Sequence, residues 1–161
     1  MSLSIKMLNF IKVAILIINL QFGSSVEPKY HIATYASNWF ESAEYCHRMG
    51  MRLAIVNSDR QHDEIVAAAK KTGLHSSANF GVWLGATDLA RTNSYVWHNT
   101  GQRVHYSRWR IAEPSGGNEH CLTLQFWPLL GFFWTWNDAS CSKKLYAICE
   151  SNADVECARG M

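Results

Sequence analysis

The sequence predicts an α+β domain spanning residues 26–150. Three observations lead there. Two segments near the start, 38–50 and 58–73, carry helix-starting residues at one end and a glycine at the other. From Asn79 onward the pattern changes to short apolar runs separated by turn residues. No internal repeat and no second block of composition interrupts the 161 residues, a length suited to one domain. Helices first and a series of short antiparallel strands after them is an α+β order.

Each element has a local reason. Residues 29–35 alternate weakly and read as a first strand. Asn38, Trp39, Phe40 and Glu41 have the form of a capping box, with Asn38 as N-cap and Glu41 reaching back to it. The helix they open carries Phe40, Ala43, Tyr45, Cys46 and Met49 and stops at Gly50. Leu53, Ala54, Ile55 and Val56 form a short buried strand. Ser58, Asp59, Arg60 and Gln61 repeat the capping-box pattern. The second helix passes through Ile65 and Val66 to Lys71 and stops at Gly73. Lys70 and Lys71 in its last turn suit the helix dipole. Residues 82–87 are a compact apolar strand. Tyr95, Val96 and Trp97 face Val104, His105 and Tyr106 across a turn at Asn99, Thr100 and Gly101, a hairpin pattern. Three further strands are expected at 121–126, 132–136 and 146–149, and a polar tail at 151–161.

The first 25 residues have a different purpose. Lys6 and Lys12 precede the apolar run Val13, Ala14, Ile15, Leu16, Ile17 and Ile18, and the small residues Gly23, Ser24 and Ser25 follow. That order predicts a secretory signal peptide over residues 1–25 and an extracellular product. The apolar run falls short of the roughly 20 residues a membrane span needs. Lys6 and Lys12 supply two of the 15 basic residues, which leaves 13 against 13 acids in the mature chain. Its charge balance gives no sign of a nucleic-acid partner. No Asn-x-Ser/Thr acceptor occurs. Five cysteines, Cys46, Cys121, Cys141, Cys149 and Cys157, point to disulfides in an exported chain. Four cysteines allow three pairings, and the spacing alone does not choose among them.

The chemistry is concentrated between Glu113 and Cys141. Three carboxylates (Glu113, Glu119, Asp138) and two neutral oxygens (Ser115, Asn137) lie in a stretch with little regular pattern. Hard oxygen donors, with no His or thiolate at metal-ligand spacing, suit calcium rather than zinc. No Gly-x-Ser-x-Gly, His-Glu-x-x-His or free Cys–His pair is present, so the chain is not read as an enzyme.

The order Glu113-Pro114-Ser115, then Glu119-His120-Cys121, then Trp136-Asn137-Asp138 with Cys141 behind it resembles the calcium and sugar site of C-type lectin domains. Trp83-Leu84-Gly85 stands where that family has a Trp-Ile-Gly core motif, and the resemblance covers residues 30–150. It implies a C-type lectin fold: two helices, antiparallel sheets and a long calcium-binding loop region stapled by two disulfides. The pairs would be Cys46–Cys149 and Cys121–Cys141, leaving Cys157 either as a link to a second chain or as a free thiol. Calcium and a sugar would share Glu113, Ser115, Glu119, Asn137 and Asp138 as ligands, with the Asp138 carbonyl as a further donor and a cis bond before Pro114.

The pattern departs from the family in three places. The mannose-type motif has Asn where Ser115 stands, and the galactose-type motif reads Gln-Pro-Asp. Glu113 therefore leans toward mannose, while a Ser hydroxyl has one oxygen to divide between ion and sugar. The loop from Glu113 to Cys121 is a residue or two shorter than usual, so weakened calcium or sugar affinity is expected. His120 occupies a position where relatives with an auxiliary calcium often have Asp, and no auxiliary ion is expected here. The resemblance implies a secreted glycan-binding protein, similar to small invertebrate lectins of immune recognition. Its partners would be glycans on glycoproteins or microbial surfaces. A protein-binding module with a degraded sugar site, dimeric through Cys157, is the alternative. Trp127, Leu129 and Leu130, if exposed, would give it an apolar patch. Trp109 and Trp127 could stack on a sugar, though packing is the expected role, as it is for Trp136.

Overall fold

A computed structural model of the chain describes residues 29–76 and 79–152. The expected signal peptide, Cys157 and residues 153–161 lie outside the described residues. The elements follow in the order β1 (Tyr30–Ser37), α1 (Trp39–Arg48), β2 (Met51–Leu53), α2 (Asp59–Lys71), β3 (Phe80–Thr87), β4 (Val96–Trp97), β5 (Cys121–Trp127), β6 (Phe132–Ala139) and β7 (Leu145–Ser151). Short 3₁₀ turns occupy Leu74–Ser76 and Pro128–Leu130. No helix among the described residues is long and apolar enough to cross a membrane.

The sheet runs β1-β7-β3-β5-β6, with β2 added to β7 and β4 to β3. Most pairs are antiparallel, but β3 and β7 pair in parallel through Val82↔Tyr146 and Trp83↔Ala147. The sheet is therefore mixed. β3 is buried along its whole length and divides the core by the period of two that strands impose. Val82, Leu84 and Ala86 join Ile65, Val66 and Ala69 of α2 with Leu122, Leu124, Trp136 and Ile148. Trp83 joins Trp39, Ala43 and Cys46 of α1 with Leu53, Ala147 and Cys149. The two helices are thus shared between the two faces of one strand.

Both expected disulfides are formed, Cys46–Cys149 across 103 residues and Cys121–Cys141 across 20. The first pins α1 to β7. The Trp39 indole donates to the Leu84 carbonyl at 2.9 Å and the Trp83 indole to the Ser37 carbonyl at 2.9 Å. Gly85 lies so close to β2 that a Cβ there would meet the Leu53 carbonyl oxygen at 2.8 Å.

Several local expectations need correction. The α1 capping box is complete, but its buried stripe is Trp39, Ser42, Ala43 and Cys46. Phe40 and Met49 are exposed instead. Ser42 fits the stripe because its hydroxyl bonds the Ser37 hydroxyl at 2.7 Å. At α2, Ser58 caps the Gln61 N–H, but Gln61 returns its oxygen to the Asn57 N–H, one residue early. Ala54, Ile55 and Val56 are buried without belonging to a strand. Ala54 instead donates to the Ile148 carbonyl and accepts from Gly85, each at 2.9 Å. The hairpin closes through Trp97 to Gln102 at 2.9 Å and Val104 to Tyr95 at 3.0 Å, but its second arm makes a single bridge, Val96↔Arg103, and no strand. β6 runs on through Asn137 and Asp138, so that part of the expected irregular stretch is regular. β7 extends to Ser151, whose N–H bonds the Lys29 carbonyl at 3.0 Å.

Candidate functional site

The foundation of the site is the ladder between β5 and β6. Leu122 pairs with Asp138 and Thr123 with Asn137, and the Thr123 hydroxyl donates to the Asn137 carbonyl at 3.0 Å. The Cys121–Cys141 disulfide closes the same end of the pair. Asp138 is fully buried and Asn137 nearly so. The loop before β5 folds down onto Asp138. Its carboxylate accepts the Ser115 N–H at 3.0 Å on Oδ1 and the Gly116 N–H at 2.7 Å on Oδ2. Gly116 reaches that position at a φ of 72°, in the left-handed region that glycine enters without steric penalty. The Glu113–Pro114 bond is cis. A single buried carboxylate thus fixes the path of the loop that carries the other two.

Glu113, Glu119 and Asp138 each place a carboxylate oxygen within 4.8 Å of the others. Like charges at that separation oppose one another's ionisation unless a cation or proton intervenes. Part of the balance comes from Arg110, which donates from Nη2 to Glu113 Oε1. Ser115 Oγ donates to Glu119 at 2.9 Å and makes a longer contact with Asp138 at 3.4 Å. The Tyr95 hydroxyl lies 3.5 Å from Asp138. Burial and then the charges of Asp138 and Asp88 raise its pKa, which keeps it a protonated donor. Burial pushes the Asp138 carboxyl up as well, but the group is held below the ordinary carboxylate value, with the N–H groups of Gly116 and Ser115 that it accepts pulling it down.

Two oxygens stand apart. Glu113 Oε2 and Asn137 Oδ1 are buried and have no hydrogen-bond partner among the described residues. Both residues direct their other polar atoms elsewhere: Glu113 Oε1 to Arg110, and Asn137 Nδ2 to the Asp138 carbonyl. That carbonyl, an expected calcium donor, therefore already accepts one hydrogen bond. Buried acceptors without a donor are rare and costly. Asn137 Oδ1 and the three carboxylates, Glu113 among them, form a set of hard oxygens suited to a cation such as calcium.

A family model described as the lectin C-type domain matches residues 35–151. The chain belongs to the C-type lectin domain family. A salivary C-type lectin of the mosquito Aedes albopictus is 39% identical over 116 residues, which cover 71% of this chain and 76% of that protein. Among solved structures, human lithostathine superimposes with a TM-score of 0.66 at 24% identity, covering 81% of this chain and 89% of that one. The carbohydrate-recognition domain of the mouse scavenger receptor C-type lectin gives 0.62 at 23%, covering 76% and 90%. These structural likenesses establish the C-type lectin fold.

The remaining candidate residues of this lectin domain have other surroundings. His120 is not a free loop residue, since its Nδ1 lies 2.8 Å from Asp88 Oδ1 and its N–H bonds the Ala139 carbonyl at 3.1 Å. Trp136 is fully buried. Trp109 is half-buried and packs edge-on against it at 5.8 Å. Trp127 is half-buried, with the Lys143 ammonium 5.4 Å above its ring. Leu129 and Leu130 are exposed at 82% and 58%, and Phe133, which was not anticipated, at 59%. The sequence reading also missed Arg110. Its spacing of three from Glu113 is the signal that could have found it.

Proposed function

We propose that the protein is a secreted, calcium-dependent glycan-binding lectin. Glu113, Ser115, Glu119, Asn137 and Asp138 would hold the ion and orient the sugar. The observation that carries this reading is the pair of buried, partnerless oxygens on Glu113 and Asn137 beside a cluster of three carboxylates. When bound, the ion supplies coordination positions that two vicinal sugar hydroxyls can occupy. Glu113 favours the mannose-type arrangement, with an amide-free Ser115 weakening it. Export is supported by the basic-then-apolar order of residues 1–25, by the two disulfides and by the salivary relative. Cell-surface or microbial glycans are the partners this reading supplies, with immune recognition as the setting.

The test is a calorimetric calcium titration of the oxidised chain lacking residues 1–25, repeated with mannose and with galactose. One ion per chain is expected, bound more tightly with mannose than with galactose, and lost in Glu113→Gln. Ser115→Asn should strengthen the mannose effect. Absence of calcium uptake at several millimolar would overturn the reading. A second reading, a protein-binding lectin-like domain, draws on the exposure of Leu129, Leu130 and Phe133 around β6. It would follow from that negative result, and non-reducing electrophoresis would then show whether Cys157 links two chains.

A further inference from the structure

A surface hollow of about 390 Å³ lies between the residue preceding the α2 cap and the loop after the Gly101 turn. Asn57, Gln102, Arg103, His105 and Tyr106 line it. None of them belongs to the Glu113–Asp138 cluster, and its volume lies in the range of small-ligand sites.

The hydrogen-bond inventory of its walls is one-sided. Asn57 spends its amide oxygen on the Trp97 indole at 3.0 Å. An indole N–H can only donate, so the orientation of the amide is fixed and its NH₂ is the unspent half. The Tyr106 hydroxyl is fully used, donating to Asp59 at 2.7 Å and accepting from Arg108 at 2.8 Å. Arg108 neutralises Asp59, the nearby acid. The Arg103 guanidinium faces no acid among the described residues. It is exposed and makes no ion pair or side-chain hydrogen bond among the described residues, nor do the side chains of Gln102 and His105. Arg48, Arg52, Arg60, Arg108 and Arg110, by contrast, each face a carboxylate, and Arg91, which like Arg103 makes no ion pair among the described residues, does not line the hollow. What the hollow offers is an uncompensated positive fork, amide donors and the ring of Tyr106.

We infer that this hollow is a second, calcium-independent binding site for an anionic saccharide. The guanidinium fork matches a planar carboxylate or a sulfate face, and the amides serve the neighbouring ring hydroxyls. An overall positive charge does not explain such binding, because the chain without residues 1–25 carries 13 basic and 13 acidic residues.

The experiment titrates a heparin hexasaccharide into the oxidised chain lacking residues 1–25, in the presence of a calcium chelator. The chelator separates this site from the calcium reading, whose failure would leave the result unchanged. Arg103→Ala should weaken binding about tenfold, the size of a lost charge-assisted contact. Gln102→Ala should weaken it less. Arg48→Ala removes the same charge from the exposed side of α1 and should change affinity less than about twofold. Replacing the probe by its desulfated form assigns the anion: retained binding names the carboxylate, and lost binding names the sulfate. No binding, equal losses in Arg103→Ala and Arg48→Ala, or equal binding of neutral maltohexaose would each overturn the inference.

Discussion

Arg110 sets its guanidinium between two demands. It bonds Glu113 and lies 4.3 Å over the Phe132 ring, so it offsets one carboxylate charge of the cluster before any ion arrives. A bound cation must compete with it for Glu113. Arg110→Gln should therefore raise calcium affinity by roughly tenfold while lowering the melting temperature measured in chelator. Titration and melting on the same sample check both signs, and a fall in calcium affinity would instead make Arg110 the group that aims Glu113 at the ion. Gly85 makes a purely steric demand. An alanine Cβ would sit 2.8 Å from the Leu53 carbonyl and 3.3 Å from the Leu53 Cβ, both in the packed join of β2 and β3. Gly85→Ala should cost about 1–3 kcal/mol in chemical denaturation, since overpacking forces the backbone to move. An unchanged midpoint would show that β2 can yield.

The two disulfides act on different elements. Cys46–Cys149 closes 103 residues and joins α1 to β7, with both cysteines outside the Glu113–Cys141 stretch. Cys121–Cys141 closes 20 and flanks Glu119 and Asp138. Loop-closure entropy makes the long bridge the larger contributor, at about 4–5 kcal/mol against about 3. The double alanine variant at 46 and 149 should therefore lose more thermal stability. The variant at 121 and 141 should lose more calcium affinity, and the same order in both measurements would refute this division. Elements were legible in the sequence where their causes are local. Asn38 and Glu41 form their box within one turn of chain, and the strand punctuation after residue 79 needs no distant partner. Where the cause is tertiary, the reading slipped. Gln61 found the Asn57 N–H, residues 54–56 were drawn between Ile148 and Gly85 without joining a ladder, and the arm after Gln102 lacked a neighbour to extend it. The three carboxylates were legible as a set. That Asn137 and Asp138 stand on a strand was not, because polar residues at a buried strand end carry no periodic signal.

At the scale of the whole molecule, acid tolerance turns on His62. It is buried on α2, and its Nδ1 has no partner among the described residues. Burial, and then the charge of Arg108, lower its pKa below the ordinary value of 6.5. The unfolded chain therefore binds a proton there more readily than the folded one. The stability tied to a neutral His62 is complete above pH 6.5 and is lost as the pH falls through the depressed folded value. Melting temperatures measured in chelator should decline below pH 6.5, and His62→Leu should flatten the decline; an identical slope would place the titration elsewhere. The pairing of β1 with β7 has one more consequence. Tyr30 lies opposite Glu150, and Lys29 and Ser151 are bonded to each other, so both ends of the domain leave from one place. A short peptide linker joining them, with a new opening cut in an exposed turn such as that at Gly101, should give a circular permutant with the same sheet. Anything fused to either end, a dye or a surface tether, would hold the domain by the same pole.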